Sequence, residues 1–312
     1  MSRLGRRSLS VAGGLLLQKV LPEPPDRWHP VSWFGFAMQQ AEAVGYADTR
    51  ATGVRHALAG GAIGGLAGGA IGSTALAVAV CAAGRELRRA ARLVETPLLV
   101  GDLAAARVAL PSLVGRDRSH LDASGIAAAV VESLAENLVD AVVAPAFWGL
   151  AGGARGVTVH RAINTMDAMV GHHSDRYENF GWAAARLDDG ANWIPARLFV
   201  LLVMMAAPTR ATAVRAAVRS DARLHPSPNA GVAEAAVAAT LGRELGGPLQ
   251  YGGRHEARPR LGDGPRPEAG DIAAARELTS RTEWALIVTL VLLWWADHRL
   301  GQISAGRRTA PR

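Results

Sequence analysis

The stretch from Ala57 to Gly84 runs for 28 residues without a charged side chain. A helix needs about 20 mainly apolar residues to cross a bilayer. This run meets that length and predicts an integral membrane protein. It also carries Gly60, Gly64, Gly68 and Gly72, spaced four apart. On a helix that spacing makes a smooth strip where a second backbone can come close. An Ala/Gly-rich composition produces the same spacing with no packing role, and both readings stand at this point.

Four further apolar segments are shorter: Leu9 to Leu17, Ala141 to Ala154, Leu198 to Ala207 and Trp284 to Ala296. By length alone each suits a buried helix of a soluble core equally well. Trp193, Trp284, Trp294 and Trp295 flank or end them, which suits an interfacial aromatic belt. Strand-like alternation is scarce. The expected fold is therefore all-α, a polytopic membrane helical bundle of about four or five spans. Residues 1–312 are expected to form one membrane-embedded domain, with polar helical loops over about 85–137, 160–193 and 208–280. The basic start, Met1 to Arg7, lacks a clear cleavage site behind it and predicts a first membrane segment that stays attached.

Composition excludes several classes. The net charge is +7, nearly all from arginine. No nucleic-acid-binding module accompanies it, so arginine-rich loops read as marks of the cytoplasmic side. Cys81 is the single cysteine, so no intrachain disulfide forms. His172 and His173 are adjacent and diverge on a helix, and no His-x-x-x-His pair occurs, which argues against zinc there.

The polar residues gather in five places. Ser124 is a candidate N-cap for a helix on which Glu132, Glu136 and Asp140 share one face. Three like charges so placed destabilise a bare helix unless a cation or a basic partner neutralises them. Such carboxylates, with the Asn137 carbonyl, are hard oxygen donors suited to Mg²⁺ with phosphate. Asn164 and Asp167 lie one turn apart in Asn164-Thr-Met-Asp167. Asp188 and Asn192 share a face in Arg186-Leu-Asp-Asp-Gly-Ala-Asn192-Trp-Ile-Pro-Ala-Arg197. Polar groups beside a membrane-like block are costly unless they face a site or each other. In His225-Pro-Ser-Pro-Asn229-Ala-Gly231, Ser227 or Asn229 can cap a helix carrying Glu234, whose N-terminus is a ready anion site. Gly246-Gly-Pro-Leu-Gln-Tyr-Gly-Gly-Arg254 is glycine-rich but is not a Walker-type loop.

Taken together, Glu132-Ser-Leu-Ala-Glu-Asn137, Asn164-Thr-Met-Asp-Ala-Met-Val-Gly171, the Arg186–Arg197 stretch, His225 to Gly231 and Tyr251-Gly-Gly-Arg254 closely resemble the CobD/CbiB family. The resemblance runs in order from about Leu15 to the C-terminal apolar segment. It departs from the family pattern near the start. His29-Pro30-Val31 is present, but Gln18 stands where the family shows an aspartate, and Pro22-Glu23-Pro24 replaces Gly-Asp-Pro.

The resemblance implies a multi-pass enzyme of the cell (inner) membrane, acting in cobalamin biosynthesis as a ligase. It would join aminopropanol, or its O-phosphate, to the carboxylate of adenosylcobyric acid, giving adenosylcobinamide or its phosphate. ATP and Mg²⁺ are the implied cofactors, since a carboxylate needs activation, most simply as an acyl phosphate. Other enzymes of the pathway are candidate partners, as is the lipid bilayer; nucleic acid is not. By residue type, Glu132, Glu136, Asp167 and His225 are the catalytic candidates. Asn137, Asn164, Arg186, Asn192, Arg197, Asn229 and Arg254 are those for substrate or phosphate, and Asp140, Asp188 and Asp189 those for metal. The rival reading is a membrane component that binds or transports corrinoids without catalysis. With Met1 to Arg7 inside, alternation over five spans puts Arg161 to Trp193 outside, where ATP chemistry is implausible. Either one weak segment does not cross, or the loops fold back among the helices.

Overall fold

A computed structural model describes residues 1–114, 121–247, 249–251, 254–256 and 258–308; the side chains of 26, 249–251, 254–256 and 304–308 are outside the description. The all-α expectation holds. The helices are α1 (Arg3–Val20), α2 (Pro30–Gly45), α3 (Arg50–Ile71), α4 (Thr74–Cys81), α5 (Gly84–Leu99), α6 (Leu103–Ala109), α7 (Ala123–Leu138), α8 (Ala144–Val170), α9 (Trp182–Ala206), α10 (Ala211–Ser220), α11 (Ala230–Leu241) and α12 (Ala269–Arg308). Two short antiparallel pairs complete it: β1 (Leu245–Gly246) with β4 (Arg260–Leu261), and β2 (Leu249–Tyr251) with β3 (Arg254–Glu256). The segments expected as polar loops are thus themselves largely helical.

The chain forms two compact units. One comprises Met1–Ala82, Ala144–Ala191 and Leu286–Arg312; the other comprises Ala83–Val143 and Asn192–Ala285. In the first, the strip of small residues on α3 meets α8. Gly60, Gly64 and Gly68 are buried. A Cβ on Gly64 would lie 2.8 Å from the Thr158 carbonyl oxygen, and one on Gly68 would lie 2.6 Å from Arg155 Cα. One on Gly60 would strike the sulfur of Met166. The strip is therefore a packing surface, and composition alone does not explain it.

Gly72 has a different role. It adopts a left-handed conformation, φ +66°, and ends α3. Ser73 then caps α4, its hydroxyl accepting from the Leu76 amide at 3.3 Å. The uncharged run is consequently two helices, not the single span its length suggests. A Gly-Ser pair inside it supplies both a stop and a start signal. A second break falls at Gly153, where φ 66° and ψ −150° interrupt α8 within the expected segment Ala141 to Ala154. Among the described residues one helix, α9, is long and apolar enough to cross a membrane. A core of Met38, Ala57, Met166, Val170, Phe180, Ala183 and Ala184 joins α2, α3, α8 and the start of α9.

In the second unit α5 presents Leu87, Ala91, Val94 and Leu98 inward, with Arg89 and Arg92 exposed on the opposite face. Two ion pairs tie α5 to α12: Arg88 Nη1 to Glu283 Oε2 at 2.8 Å, and Arg276 Nε to Glu95 Oε2 at 2.7 Å. The Glu283 side chain is fully buried. Removing one partner of a buried pair strands the other charge, so Glu283→Ala should destabilise the protein by about 3–5 kcal/mol. Thermal unfolding in detergent measures this; a change near zero would mean the pair is hydrated and weak.

Candidate functional site

α7 begins at Asp122, whose carboxylate accepts from the Gly125 amide at 2.7 Å, so the helix starts before the expected cap Ser124. The sequence from Ile126 to Ala135 is buried on almost every face, and Glu132 is buried with it. Asn137 lies one residue after Glu136 and donates to the Ser133 carbonyl at 2.9 Å. Asp140 falls in a π-helical turn, Val139–Val143, where the backbone winds wider than in α7. Turns of this kind often occur at functional positions.

Three other segments of the same unit come to the end of α7. The amide of Gly246, at the start of the glycine-rich stretch, donates to Glu132 Oε1 at 2.8 Å. That stretch therefore begins by holding a carboxylate. His225 follows a short helical turn and is packed against Gly231; a Cβ there would lie 2.5 Å from the Ala222 carbonyl oxygen. Asn229 is the N-cap of α11, and the Ser227 hydroxyl just before it accepts from the Ala230 amide at 3.2 Å. α11 then places Glu234, 1% exposed, in a helix otherwise made of Ala, Val, Gly, Thr and Leu.

Glu136, His225 and Glu234 bring one ligand atom each to within 4.8 Å of one another. Glu234 is the residue that sequence reasoning passed over. Its signal was there: one carboxylate in an apolar helix of twelve residues, which is expensive unless it serves a site. Burial, then the charges of Glu136 and Glu132, hold the Glu234 carboxyl well above the usual range. Burial and the Arg258 guanidinium push the His225 imidazole below its usual value, so it is neutral at pH 7. A cavity of about 660 Å³ adjoins His225, lined by Arg197, Leu201, Val218, Arg223, Pro228 and others. This volume lies in the range that holds small-molecule ligands. Arg197 braces its rim, donating to Asn229 Oδ1 at 2.8 Å and to the Pro228 carbonyl at 3.1 Å. Asn192 is buried near the middle of α9. The backbone of Arg254 lies in β3; its side chain is outside the described residues.

The first unit holds a separate acidic group. Asn164 Nδ2 donates to Asp188 Oδ1 at 3.3 Å, and Arg186 pairs with Asp189 at 3.8 Å. Asp167, Asp188 and Asp189 interact. Burial first, then those two neighbours, push the Asp167 carboxyl up to about 7. Within the second unit Glu132, Glu136 and His225 gather with Glu234, and within the first Asn164, Asp167, Asp188 and Asp189 gather. The raised Asp167 value has a consequence for stability. The folded state holds this proton more tightly than the unfolded chain, so its contribution is most favourable at low pH and is lost as pH rises through about 7. Asp167→Asn should stabilise the protein above pH 7 by on the order of a few kcal/mol and make little difference near pH 4. Melting curves at the two pH values check this; an equal effect at both would remove Asp167 as the cause.

The sequence profile described as CobD/Cbib protein matches residues 11–279. The chain belongs to the CobD/CbiB family. Among its relatives, "Cobalamin biosynthesis protein CobD" of Mycobacterium tuberculosis is 42% identical over 300 residues, covering 92% of this chain and 96% of the relative. The protein of that name from Chromobacterium violaceum is 39% identical over 304 residues, covering 91% and 96%. The one from Rhodobacter capsulatus is 48% identical over 206 residues, 65% of each chain. No solved structure matches. The family match spans both units, so the Glu136–His225–Glu234 cluster and the acidic group of α8 and α9 both lie inside it.

Proposed function

We propose that this chain acts in cobalamin biosynthesis as a membrane-bound ligase. It would form the amide between adenosylcobyric acid and aminopropanol or its O-phosphate. The observation that carries the reading is the buried carboxylate–imidazole cluster beside a ligand-sized cavity, in a chain of the CobD/CbiB family.

Amide formation needs an activated carboxylate, a positioned amine and a group to accept the amine's proton. Mg²⁺ and ATP are implied by the family. Asn164, Asp167, Asp188 and Asp189 offer oxygen donors alone, the set that suits Mg²⁺. Burial raises Asp167 most, and the repulsion that Asp188 and Asp189 add to it is a field a divalent cation relieves. These residues would hold the ion, with Arg186 beside them for phosphate charge. When bound, MgATP supplies a phosphoryl group to the substrate carboxylate, turning it into an acyl phosphate that an amine can attack. In the other unit, Arg197 and Arg223 at the cavity favour an anionic substrate. The α7 carboxylates Glu132 and Glu136 would accept the amine's proton.

The membrane assignment rests on what lies outward. α9 exposes Trp193, Ile194, Leu201 and Met205, and α12 exposes Val288, Leu292, Leu293 and Trp295. Contiguous apolar surfaces of this kind are unfavourable in water and suit a lipid surround. The test of function is rescue of a bacterial strain that lacks its amide-forming synthase. With this chain the strain should grow on cobyric acid as it does on cobinamide. Growth on cobinamide alone would overturn the enzyme. Altered corrinoid uptake without amide formation would favour the binding or transport reading.

A further inference from the structure

We infer that Glu136, His225 and Glu234 form a binding site for a divalent transition-metal ion of the Mn²⁺, Fe²⁺ or Zn²⁺ class, separate from the oxygen-only group suited to Mg²⁺. Three observations carry it. First, the three side chains come from three different elements, and their ligand atoms converge to within 4.8 Å. Second, His225 Nε2 and Glu234 Oε1 are fully buried atoms without a hydrogen-bond partner, on side chains 3% and 1% exposed. They face each other across 3.7 Å, too far for a hydrogen bond. Leaving buried polar atoms unsatisfied is unfavourable. An ion bonded to each at about 2.0–2.2 Å closes that gap.

Third, the ring is fixed in place from its other edge. His225 Nδ1 lies 3.2 Å from the Ser227 carbonyl oxygen. The Ser227 amide donates to the same Nδ1 at 3.1 Å, so the backbone of Ser227 holds that edge of the ring and leaves Nε2 facing Glu234. The packing of Gly231 on the ring keeps it from turning away.

The charge balance agrees. Glu132, Glu136 and Glu234 carry three negative charges when ionised, and Arg258 acts on the cluster with one positive charge. A divalent ion neutralises the remainder. Glu132 is committed to the Gly246 amide, which places it beside the ligands without being one of them. One imidazole among carboxylates selects for transition metals over Mg²⁺, which prefers oxygen and keeps its waters.

The inference deepens the proposed function and rests on it for the role alone. An ion at His225, beside the cavity, would orient an anionic substrate group together with Arg258. It would leave Glu132 as the acceptor for the amine's proton.

Binding is measured without substrate. The full-length protein, purified in detergent and stripped with a chelator, is titrated with Mn²⁺ and followed by electron paramagnetic resonance. One tight equivalent is expected, unmoved by millimolar Mg²⁺ and displaced by Zn²⁺. Spin-echo modulation should show a directly coordinated nitrogen. Outer-shell changes already weaken metal sites about 10–100-fold, so His225→Gln and Glu234→Gln should cost at least about 100-fold. Asp167→Asn should keep the site. Absence of Mn²⁺ binding, absence of the nitrogen signal, or unchanged affinity in both variants would each overturn the site. Should the variants misfold, the nitrogen signal of the unaltered protein decides alone. A bound ion at His225 in a chain that makes no amide would uphold the site and refute the proposed function. Amide formation without binding would do the reverse.

Discussion

Glu136→Gln should lower amide formation by roughly 10²–10⁴-fold, the range that a lost acid–base or ligand contribution spans. The substitution is close to isosteric, so the fold should survive. Three features concentrate the effect on this residue. Glu136 is one of the three ligand-bearing side chains of the buried cluster. It interacts with Glu234 directly, and two carboxylates in contact need a proton or a cation between them. It also lies one turn beyond Glu132, whose carboxylate is held by the Gly246 amide. A glutamine keeps the shape and one carbonyl oxygen but removes the charge. The measurement is product formed in reconstituted membranes from ATP, adenosylcobyric acid and aminopropanol phosphate. Unaltered rates in the variant would remove Glu136 from the mechanism and leave the cluster a structural one.

The second large effect concerns the helix contact that organises the first unit. Gly68→Val should destabilise the protein by at least about 3 kcal/mol, at or beyond the upper end of ordinary overpacking. The added atoms would meet Arg155 Cα at 2.6 Å and the Ala154 carbonyl oxygen at 2.8 Å. Both are backbone atoms and cannot turn aside. Gly61 is the control. It lies on the same helix, but a Cβ there meets nothing within 4 Å. Gly61→Ala should therefore stabilise α3 by up to about 1 kcal/mol through helix propensity. Parallel melts of the two variants test the contact. Similar shifts in both would mean that α3 responds to glycine content and not to its contact with α8.

Much of this was written locally. Four-residue spacing announced the glycine strip, because residues at i and i+4 lie on one face of a helix whatever surrounds it. Glu132 and Glu136 share a face for the same reason. The prolines and Gly231 around His225 mark a tight turn before a helix, and Asn229 stands at the N-cap of α11 with the Ser227 hydroxyl accepting from Ala230. Helix ends were less legible. Asp122 caps α7 ahead of Ser124, since both residue types are competent and the chain uses the earlier one. Gly72 was read with the strip because its spacing fits, yet its left-handed φ ends the helix. Glycine serves close approach and helix termination alike, and spacing does not separate the two uses.

What the sequence determined on its own is the all-α class, the family and the residue types available to a site. Each of these depends on neighbours along the chain or on ordered motifs. The tertiary structure decided which carboxylates lie together. Asp167 stands with Asp188 and Asp189, while Glu136 stands with His225 and Glu234, nearly a hundred residues further along. No periodicity reports such a meeting. It arises because α11 is apolar on every side and is buried as a whole, which carries its one carboxylate inward to a place where only a charged or hydrogen-bonding partner makes it affordable.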